Sequence, residues 1–247
     1  MNIAVATLAI GDVFTKSMQP GLTSKVEYCE QHGYDFVLGG EEVHDKERPP
    51  AWSKINLVRK ILGDYDVVFL SDADVVITNP LVKLEYFIEQ LIPIKCEVDK
   101  TNLIFNRDHT QSKGEVIFTT ALDKLVLIAR DKMNLCTGNM FFRNDPMTLD
   151  LLEEIYAQTQ FIEDKWWEQR AFIYLYNKHQ YVKDMTQVVG PRMFNTYEEL
   201  WQPGSFLIHF AGMLSKLIPA KMRQYRLLSK ALPDVLLRQL HEQRSYL

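Results

Sequence analysis

The chain has 247 residues, of which 47% are hydrophobic and 24% are charged. These fractions are ordinary for a soluble globular protein, and no apolar run reaches the roughly 18 residues of a membrane-spanning helix. The apolar N-terminal stretch lacks a preceding basic region, so it does not resemble a secretory signal. Cys29, Cys96 and Cys136 are widely spaced and odd in number, which argues against a disulfide framework or a zinc site and favours a reducing, cytoplasmic compartment.

Charge is distributed unevenly along the chain, whose net formal charge is −4. From Met213 to the end, seven Lys and Arg residues stand against two acidic residues, a net of +5, so the preceding part carries −9. Such asymmetry often marks a tail that meets an anionic partner. We therefore predict a domain of residues 1–216 followed by a basic amphipathic helical tail of residues 217–247. The apolar face of this tail, which either packs on the domain or contacts an anionic membrane surface, is predicted to comprise Met222, Tyr225, Leu228 and Leu232.

The first seventy residues alternate between strands and helices. The spacing of apolar residues predicts strand 3–9, helix 18–32, strand 34–38, helix 52–62 and strand 67–70. Gly33 and Gly63 follow the two helices as C-terminal caps. This order predicts an α/β fold with a mostly parallel, doubly wound central sheet, flanked by helices and joined by right-handed crossovers.

Two common nucleotide-binding motifs are absent from the sequence. No Gly-x-Gly-x-x-Gly follows the first strand, and no Gly-x-x-x-x-Gly-Lys phosphate loop occurs. A nucleotidyltransferase normally carries a glycine-rich, basic loop after its first strand. Gly11-Asp12 with Lys16 does not supply such a loop.

The strand predicted over residues 67–70 ends in two carboxylates. Asp72 and Asp74 are one residue apart, so on an extended backbone their side chains lie on the same side. Two hard oxygen ligands suit Mg²⁺ or Mn²⁺, which are usually held by one or two carboxylates together with substrate phosphates. An Asp-x-Asp at a strand end is also common as a turn or a helix cap, and that alternative stays open at this point. Asn79-Pro80 then ends the strand and turns the chain.

The second half of the chain continues the mixture of strands and helices. The pattern predicts a helix over 84–92, a hairpin of strands 102–105 and 116–119, strand 125–130, a helix capped by Asp145, a helix within 161–178 and strand 206–210. Thr137-Gly138-Asn139 interrupts another apolar strand, where the glycine either permits close approach of a ligand or makes a bulge. Glu168 and Gln169 lie at the start of their helix, where polar groups often face a site.

His209 lies inside the apolar strand 206–210. A histidine in such a place is usually a hydrogen-bonded core residue. The alternative is a metal ligand, because imidazole is acceptable to Mn²⁺ although less preferred than oxygen. Gly212 and Lys216 follow closely, and His209, Asp74 and a lysine for phosphate would together make a metal–diphosphate site.

The order and spacing of these motifs resemble glycosyltransferase family 34, the galactosyl-, xylosyl- and mannosyltransferases of the GT-A (Rossmann-like) fold. The resemblance covers most of residues 1–216. The similar segments are residues 25–37, Trp52-Ser53-Lys54 with the following helix, Ser71-Asp72-Ala73-Asp74 with Asn79-Pro80, residues 136–144, Glu168-Gln169-Arg170-Ala171 and His209-Phe210-Ala211-Gly212. Eukaryotic members of the family carry an N-terminal membrane anchor that is not seen here, which favours a cytoplasmic form.

The resemblance implies a metal site and a donor pocket. Asp72 and Asp74 would be the family's Asp-x-Asp pair, His209 would complete the manganese site, and Lys216 would contact the diphosphate. The residues implied to bind the donor nucleotide are Ala6, Thr7, Leu8, Lys54, Ser71, Asp72, Ala73 and Lys216.

The resemblance also implies where the sugar would lie. Gln169 matches the glutamine under the anomeric carbon, and Glu168 precedes it as a second catalytic candidate. The family commonly has two acidic residues before this glutamine, whereas here Trp167 replaces the first of them. The residues implied to lie near the donor or acceptor sugar are Thr137, Gly138 and Asn139.

The implied activity is metal-dependent transfer of a hexose or pentose from a nucleotide sugar to a hydroxyl of a saccharide or glycolipid acceptor, with retention to give an α-glycosidic bond. The expected cofactors are Mn²⁺ or Mg²⁺ and a UDP-sugar, whether UDP-galactose, UDP-glucose or UDP-xylose, with GDP-mannose less favoured. No nucleic-acid partner is expected. Two alternatives stay open: a catalytically silent GT-A domain that binds a sugar nucleotide or a partner, and a nucleotidyltransferase.

Overall fold

The computed structural model describes residues 1–89, 91–95, 97–99, 102–104, 116–120 and 123–237. The strands of these residues are β1 (Ile3–Leu8), β2 (Asp35–Gly39), β3 (Val67–Ser71), β4 (Val75–Ile77), β5 (Leu91–Lys95), β6 (Glu97–Asp99), β7 (Asn102–Ile104), β8 (Val116–Thr120), β9 (Val126–Arg130), β10 (Leu135–Arg143), β11 (Thr186–Val189) and β12 (Leu207–His209). The helices are α1 (Asp12–Ser17), α2 (Gln19–His32), α3 (Ser53–Ile61), α4 (Glu85–Glu89), α5 (Pro146–Tyr156), α6 (Trp167–Lys178), α7 (Gln180–Met185), α8 (Pro191–Phe194) and α9 (Ile218–Lys230).

The central sheet has six strands in the order β11-β9-β10-β3-β1-β2. β1 is parallel to β2 and β3, β10 is antiparallel to both of its neighbours, and β11 is parallel to β9. Five strands therefore run in one direction and β10 runs in the other. This confirms the predicted α/β fold with a mostly parallel central sheet.

The two faces of the sheet are buried in two separate cores, because successive side chains of a strand point to opposite faces. Ala4, Ala6, Val68 and Leu70 lie in one core with residues of α3, α5 and α6. The alternate residues of the same two strands, such as Val5 and Phe69, lie in the other core. All five residues of β3 are buried. A strand that is covered on both faces explains the continuous apolar run in the sequence.

β12 does not join the central sheet. It pairs antiparallel with β4 in a separate two-stranded ribbon, with His209 opposite Val75. The ribbon begins directly after the turn that follows β3. Pairing within it therefore carries His209 to the carboxyl end of β3, although the two lie more than 130 residues apart in the chain.

The predicted hairpin of strands 102–105 and 116–119 is wrong. β8 pairs with β5, and β7 pairs with β6, both antiparallel. The predicted helix over 84–92 is also too long, because α4 ends at Glu89 and β5 begins at Leu91. The isoleucines and Pro93 of β5 disfavour a helix, since proline lacks a backbone N–H and β-branched side chains favour strands. The tip of the predicted hairpin lies outside the described residues.

Helix α9 packs its apolar side against the domain. Met222 and Tyr225 are buried as predicted, but Leu228 is 44% exposed. Ser229 takes the inward position instead, where its hydroxyl donates to the Thr78 carbonyl oxygen. Two cations of α9 also pair with Glu27 of α2. Among the described residues, no helix is both long and apolar enough to cross a membrane.

Candidate active site

The two carboxylates of the Asp-x-Asp motif lie in a turn, not on an extended strand. β3 ends at Ser71, and the backbone N–H of Val75 closes the turn by donating to the Asp72 carbonyl oxygen at 3.3 Å. The expectation that an extended backbone aligns the two side chains is therefore wrong. We call residues 72–74 the carboxylate turn. A turn and a metal motif were alternatives for this Asp-x-Asp. In the structure the turn itself brings the two carboxylates together.

A buried lysine of α2 holds the main chain of this turn. The Lys25 ammonium donates to the Asp72 carbonyl oxygen at 2.8 Å and to the Val75 carbonyl oxygen at 3.1 Å. Burial lowers the pKa of Lys25 to about 8, against the opposing charges of Asp74 and Asp72. Lys25 was not among the predicted site residues. The available signal was a charged residue on the apolar side of a helix, between Leu22 and Cys29.

Two small residues of α2 complete this support. A Cβ added to Gly21 would lie 2.6 Å from the carbonyl oxygens of both Ala73 and Val75, so only glycine lets the helix approach so closely. The hydroxyl of Ser24 accepts a hydrogen bond from the Ile77 N–H at 3.2 Å. We call Gly21, Ser24 and Lys25 the main-chain clamp. It fixes the path of the carboxylate turn and of β4.

Asp72, Asp74 and His209 converge at the end of β3. One possible ligand atom from each of them lies within 4.8 Å of the others. His209 Nε2 lies 3.4 Å from Asp74 Oδ1. Burial opposes the charge on both partners, but their attraction raises the pKa of His209 to about 10 and lowers that of Asp74 below its ordinary value. The histidine is therefore not an isolated core residue.

Gly138 of β10 keeps open the space beside these groups. A Cβ at this position would overlap His209 Cε1 and lie 3.1 Å from Asp72 Oδ2. The Asp72 N–H donates to the Gly138 carbonyl oxygen at 2.7 Å, and the register of β10 against β9 shifts between Cys136 and Met140. The bulge therefore occurs, and the side chains of His209 and Asp72 lie close to Gly138, whereas close approach of a ligand stays a prediction.

The residues present fit a divalent cation. Two carboxylates and an imidazole are suitable donors for Mn²⁺ or Mg²⁺, and Gly138 leaves the space between them free of side-chain atoms. Two nearby buried oxygens, Asn139 Oδ1 and Glu168 Oε2, have no hydrogen-bond partner within the protein. Buried acceptors without a partner are costly, so their presence beside this group favours a ligand that supplies the missing interactions.

A second charged cluster lies beside the carboxylate turn. The Lys54 ammonium of α3 lies 3.0 Å from Asp72 Oδ1 and 2.8 Å from Glu168 Oε1. Burial disfavours the charge on Lys54, but Asp72 and Glu168 together raise its pKa above the ordinary value. Burial also raises the pKa of Glu168, against the effect of Lys54. We call Lys54, Asp72 and Glu168 the side-chain cluster.

The start of α6 joins this cluster to β10. The Thr137 hydroxyl donates to Glu168 Oε1 at 3.1 Å, and the Thr137 N–H donates to Gln169 Oε1 at 3.2 Å. Glu168 and Gln169 therefore face the site, as predicted. Trp167 has φ 45° and is the one described non-glycine residue with positive φ. Its side chain is 41% exposed.

The remaining residues predicted to bind the donor lie on β1, in the carboxylate turn and before α9. Thr7 is buried and its hydroxyl donates to the Ser71 carbonyl oxygen at 2.9 Å, between Ala6 and Leu8 of β1. Ala73 is buried in a core cluster with residues of α9. Lys216 lies exposed in the turn before α9, and no hydrogen bond or ion pair links it to another described residue. Its contact with a diphosphate stays a prediction.

A family model provides the first comparison with known proteins. The model of the galactosyl transferase GMA12/MNN10 family matches residues 13–215. A probable alpha-1,2-galactosyltransferase of Schizosaccharomyces pombe, gmh2, is 26% identical over 216 residues, which cover 79% of this chain and 60% of the relative. An uncharacterized alpha-1,2-galactosyltransferase of the same yeast is 24% identical and is also covered to 60%. The chain thus spans three fifths of the length of these relatives.

Solved structures share the fold at low sequence identity. A glycosyltransferase involved in glycosylation of the major capsid of PBCV-1 matches with a TM-score of 0.65 and 14% identity, over 91% of this chain and all of that chain. The galactosyltransferase LgtC, solved with donor and acceptor sugar analogs, matches with a TM-score of 0.50 and 11% identity, over 93% and 96% of the two chains. The fold is that of GT-A glycosyltransferases, and the chain belongs to the galactosyl transferase GMA12/MNN10 family, glycosyltransferase family 34.

Proposed function

We propose that this chain is a metal-dependent glycosyltransferase that moves a sugar from a nucleotide sugar to a hydroxyl of a saccharide acceptor. The observation that carries the proposal is the group of Asp72, Asp74 and His209, whose ligand atoms lie within 4.8 Å of one another beside the space that Gly138 leaves. The carboxyl end of a parallel strand is where open α/β sheets bind their ligands. Membership of the family supports the same reaction class.

The donor we propose is a UDP-sugar. UDP-galactose is the first candidate, because the relatives covered by this chain are named as alpha-1,2-galactosyltransferases. UDP-glucose and UDP-xylose follow, and GDP-mannose is the least favoured. An α-linked product from an α-linked donor means retention of configuration at the anomeric carbon.

Asp72, Asp74 and His209 are proposed to hold Mn²⁺ or Mg²⁺. A bound divalent cation supplies Lewis-acid stabilisation of the charge on a departing diphosphate. The main-chain clamp fixes the turn that carries the two carboxylates, so the ligands are in place before the donor binds. Lys54 places a positive charge beside Asp72 and the buried Glu168, because its ammonium lies within hydrogen-bonding distance of both.

Gln169 and Glu168 are proposed to face the reacting sugar. An acceptor hydroxyl attacks the anomeric carbon from the side of the leaving diphosphate, and its proton passes to a phosphate oxygen of that group. The Gln169 amide or the Glu168 carboxylate stabilises the positive charge that develops on the sugar ring as the diphosphate leaves. Glu168 acting as a covalent nucleophile is the weaker variant, because one of its oxygens already accepts from Lys54 and Thr137.

A panel of nucleotide sugars tests the proposal. Release of the nucleoside diphosphate, UDP or GDP, would be measured with UDP-galactose, UDP-glucose, UDP-xylose and GDP-mannose, with Mn²⁺ or with EDTA, and with methyl glycosides as acceptors. We expect release that requires the ion, and loss of release in Asp74→Ala with an unchanged circular dichroism spectrum. Binding of UDP and Mn²⁺ without turnover would favour a silent sugar-nucleotide domain. Release of pyrophosphate from a nucleoside triphosphate and a sugar phosphate would favour a nucleotidyltransferase.

We also propose that the C-terminal region contacts an anionic membrane surface. Leu227 and Leu228 of α9 are 70% and 44% exposed, and Leu214 before it is 65% exposed. Arg223 and Lys216 are exposed beside them and form no ion pair with a described residue. Exposed leucines among cations suit a peripheral position at an anionic lipid surface. Such a position would give access to a glycolipid acceptor.

Vesicle co-sedimentation tests this contact. We expect binding to vesicles that contain phosphatidylglycerol, little binding to pure phosphatidylcholine, and loss of binding in the Leu227→Glu, Leu228→Glu double variant. Val13→Glu is the matched control, because Val13 is 85% exposed on α1 and away from this basic region in sequence. Equal binding by all variants, or none by the unaltered chain, would contradict the proposal.

A further inference from the structure

We propose that Asp131 positions His209 for metal binding through a chain of three hydrogen bonds whose direction its carboxylate sets. The inference rests on the proposed metal-dependent function, and it assigns roles to Asp131, Tyr197 and Asn195, which neither the family motifs nor the sequence pattern single out. The three are positioning residues, since only His209 would touch the ion.

The chain of hydrogen bonds is continuous. Asn195 Oδ1 lies 2.8 Å from His209 Nδ1, and Asn195 Nδ2 lies 3.0 Å from the Tyr197 hydroxyl. That hydroxyl lies 2.5 Å from Asp131 Oδ2. Asn195 and His209 are buried, and the ring of Tyr197 stacks on the imidazole with centroids 5.7 Å apart. Asn139 Nδ2 also donates to Asn195 Oδ1, at 2.8 Å.

The direction of this chain follows from the chemistry of its first member. An ionised carboxylate can only accept hydrogen bonds, so the single hydroxyl proton of Tyr197 goes to Asp131. The Tyr197 oxygen must then accept from its other neighbour, which turns the NH₂ of Asn195 toward it. The oxygen of Asn195 consequently faces His209 and accepts from Nδ1–H.

The result is a defined tautomer for the imidazole. When a metal displaces the proton from Nε2, the atom that lies 3.4 Å from Asp74 Oδ1, the remaining proton of His209 is held at Nδ1 and the lone pair of Nε2 faces the ion. Metal-bound histidines generally donate their second N–H in this way, and loss of the acceptor typically costs 10- to 100-fold in metal affinity. The reverse direction would place the proton on Nε2 and block coordination.

A neighbouring thiol does not change this direction. Cys136 interacts with both Tyr197 and His209. A thiol is a weak donor and a weak acceptor, so it does not compete with a carboxylate at 2.5 Å for the hydroxyl proton. Asp131 Oδ1 is already engaged by the backbone N–H groups of Met133 and Asn134, at 2.7 and 2.9 Å. This leaves Oδ2 to face Tyr197.

Asp131→Asn is the sharpest test, because it changes one atom at the far end of the chain. The amide can keep both turn hydrogen bonds through its oxygen, but its NH₂ would then donate to Tyr197. Each later hydrogen bond would reverse, with Asn139 turning its unpartnered Oδ1 toward the Asn195 amide, and Nε2 would carry the proton. We expect Mn²⁺ affinity to fall about 10- to 100-fold, measured from the electron paramagnetic resonance signal of free Mn²⁺ without a donor.

Asn195→Asp should behave in the opposite way. A carboxylate at position 195 accepts from His209 Nδ1 whatever Tyr197 does, so Mn²⁺ affinity should be retained. The double variant Asp131→Asn, Asn195→Asp should then recover the affinity that Asp131→Asn alone loses, since the amide at 131 donates to Tyr197 and Tyr197 donates to the new carboxylate. Asn195→Leu, which removes the acceptor, should lose affinity with either residue at 131.

Asp145→Asn is the matched control. Asp145 also caps a turn through Oδ1, accepting from Met147 N at 2.8 Å, and the substitution removes the same charge without any link to His209. Its Mn²⁺ affinity should equal that of the unaltered chain. Equal affinity in Asp131→Asn, or no recovery in the double variant, would overturn the inference. No Mn²⁺ binding by the unaltered chain would instead contradict the proposed function.

Discussion

Two buried lysines approach the same aspartate from neighbouring helices, and they do so in different ways. Lys25 of the main-chain clamp donates to carbonyl oxygens, whereas Lys54 of the side-chain cluster lies against two carboxylates. The pKa of Lys25 accordingly falls to about 8, because burial outweighs the distant charges of the turn. The pKa of Lys54 is instead raised, because Asp72 and Glu168 more than offset its burial.

The different partners and pKa shifts of the two lysines indicate what each contributes. Lys54 balances charge, so its removal leaves the buried Glu168 and the half-buried Asp72 without a counter-charge. Lys25 shapes a turn, and its own charge is poorly compensated where it lies. Loss of Lys54 should therefore reduce stability most, and loss of Lys25 should most disturb the geometry of the metal ligands. Substitutions that keep the volume but remove the charge separate the two.

Lys54→Met should have the largest effect on stability. Removing one partner of a buried ion pair leaves the other charge uncompensated, and we expect a loss of about 3 kcal/mol in the free energy of unfolding. Urea unfolding measures it. Lys60→Met, on the exposed end of the same helix, is the control and should change stability little. A similar loss in both variants would contradict the role of the side-chain cluster.

Gly21→Ala should have the next largest effect. The new Cβ would lie 2.6 Å from two backbone oxygens of the turn segment, so α2 or the turn must move, at a cost of about 1–3 kcal/mol. Donor hydrolysis should fall with it. Gly63→Ala meets no atom within 4 Å and serves as the control in the same thermal and kinetic measurements. Unchanged stability and unchanged donor hydrolysis in Gly21→Ala would contradict the role of the main-chain clamp.

Lys25→Met should change stability at neutral pH by only about 1 kcal/mol, because relief of a buried charge offsets the lost hydrogen bonds. Its turnover of donor should nevertheless fall about 100-fold, since a small displacement of the ligands is costly to catalysis. Steady-state kinetics would detect this. A variant that is strongly destabilised but fully active would reverse the assignment of the two lysines.

The pH dependence of stability distinguishes Lys25 further. Its pKa is about 8 in the folded chain and 10.5 in the unfolded reference, so between these values the folded state binds fewer protons. Stability of the unaltered chain relative to Lys25→Met should therefore rise as pH increases from about 8 to 10.5, by roughly 3 kcal/mol. Urea titrations at a series of pH values in EDTA measure the difference. A difference in stability that does not change with pH would contradict the lowered pKa of Lys25.

A contrast between local patterns and contacts formed in the fold explains how much of the site could be predicted from the sequence. β3 and the pair Asp72 and Asp74 were predictable, because a buried apolar run and a carboxylate pair are local patterns. For His209 the local pattern favoured a core residue, and the ligand role was implied by the family resemblance. Lys25 was not, since its partners are main-chain oxygens far away in the chain. Asn195 was not, since only the fold brings its amide between His209 and Tyr197. The pairing of β8 with β5 and not with β7 also depends on which strands meet in space. Leu228 was misassigned because Ser229 finds a hydrogen-bond partner in the interior.

The central claim is that Asp72, Asp74 and His209 together bind a divalent cation. Anomalous diffraction from a crystal soaked with Mn²⁺ and UDP tests it most directly. We expect one strong anomalous peak within coordination distance of all three side chains, and no peak there in Asp74→Ala. A peak bound by other residues, or none at this turn while UDP is bound, would contradict it.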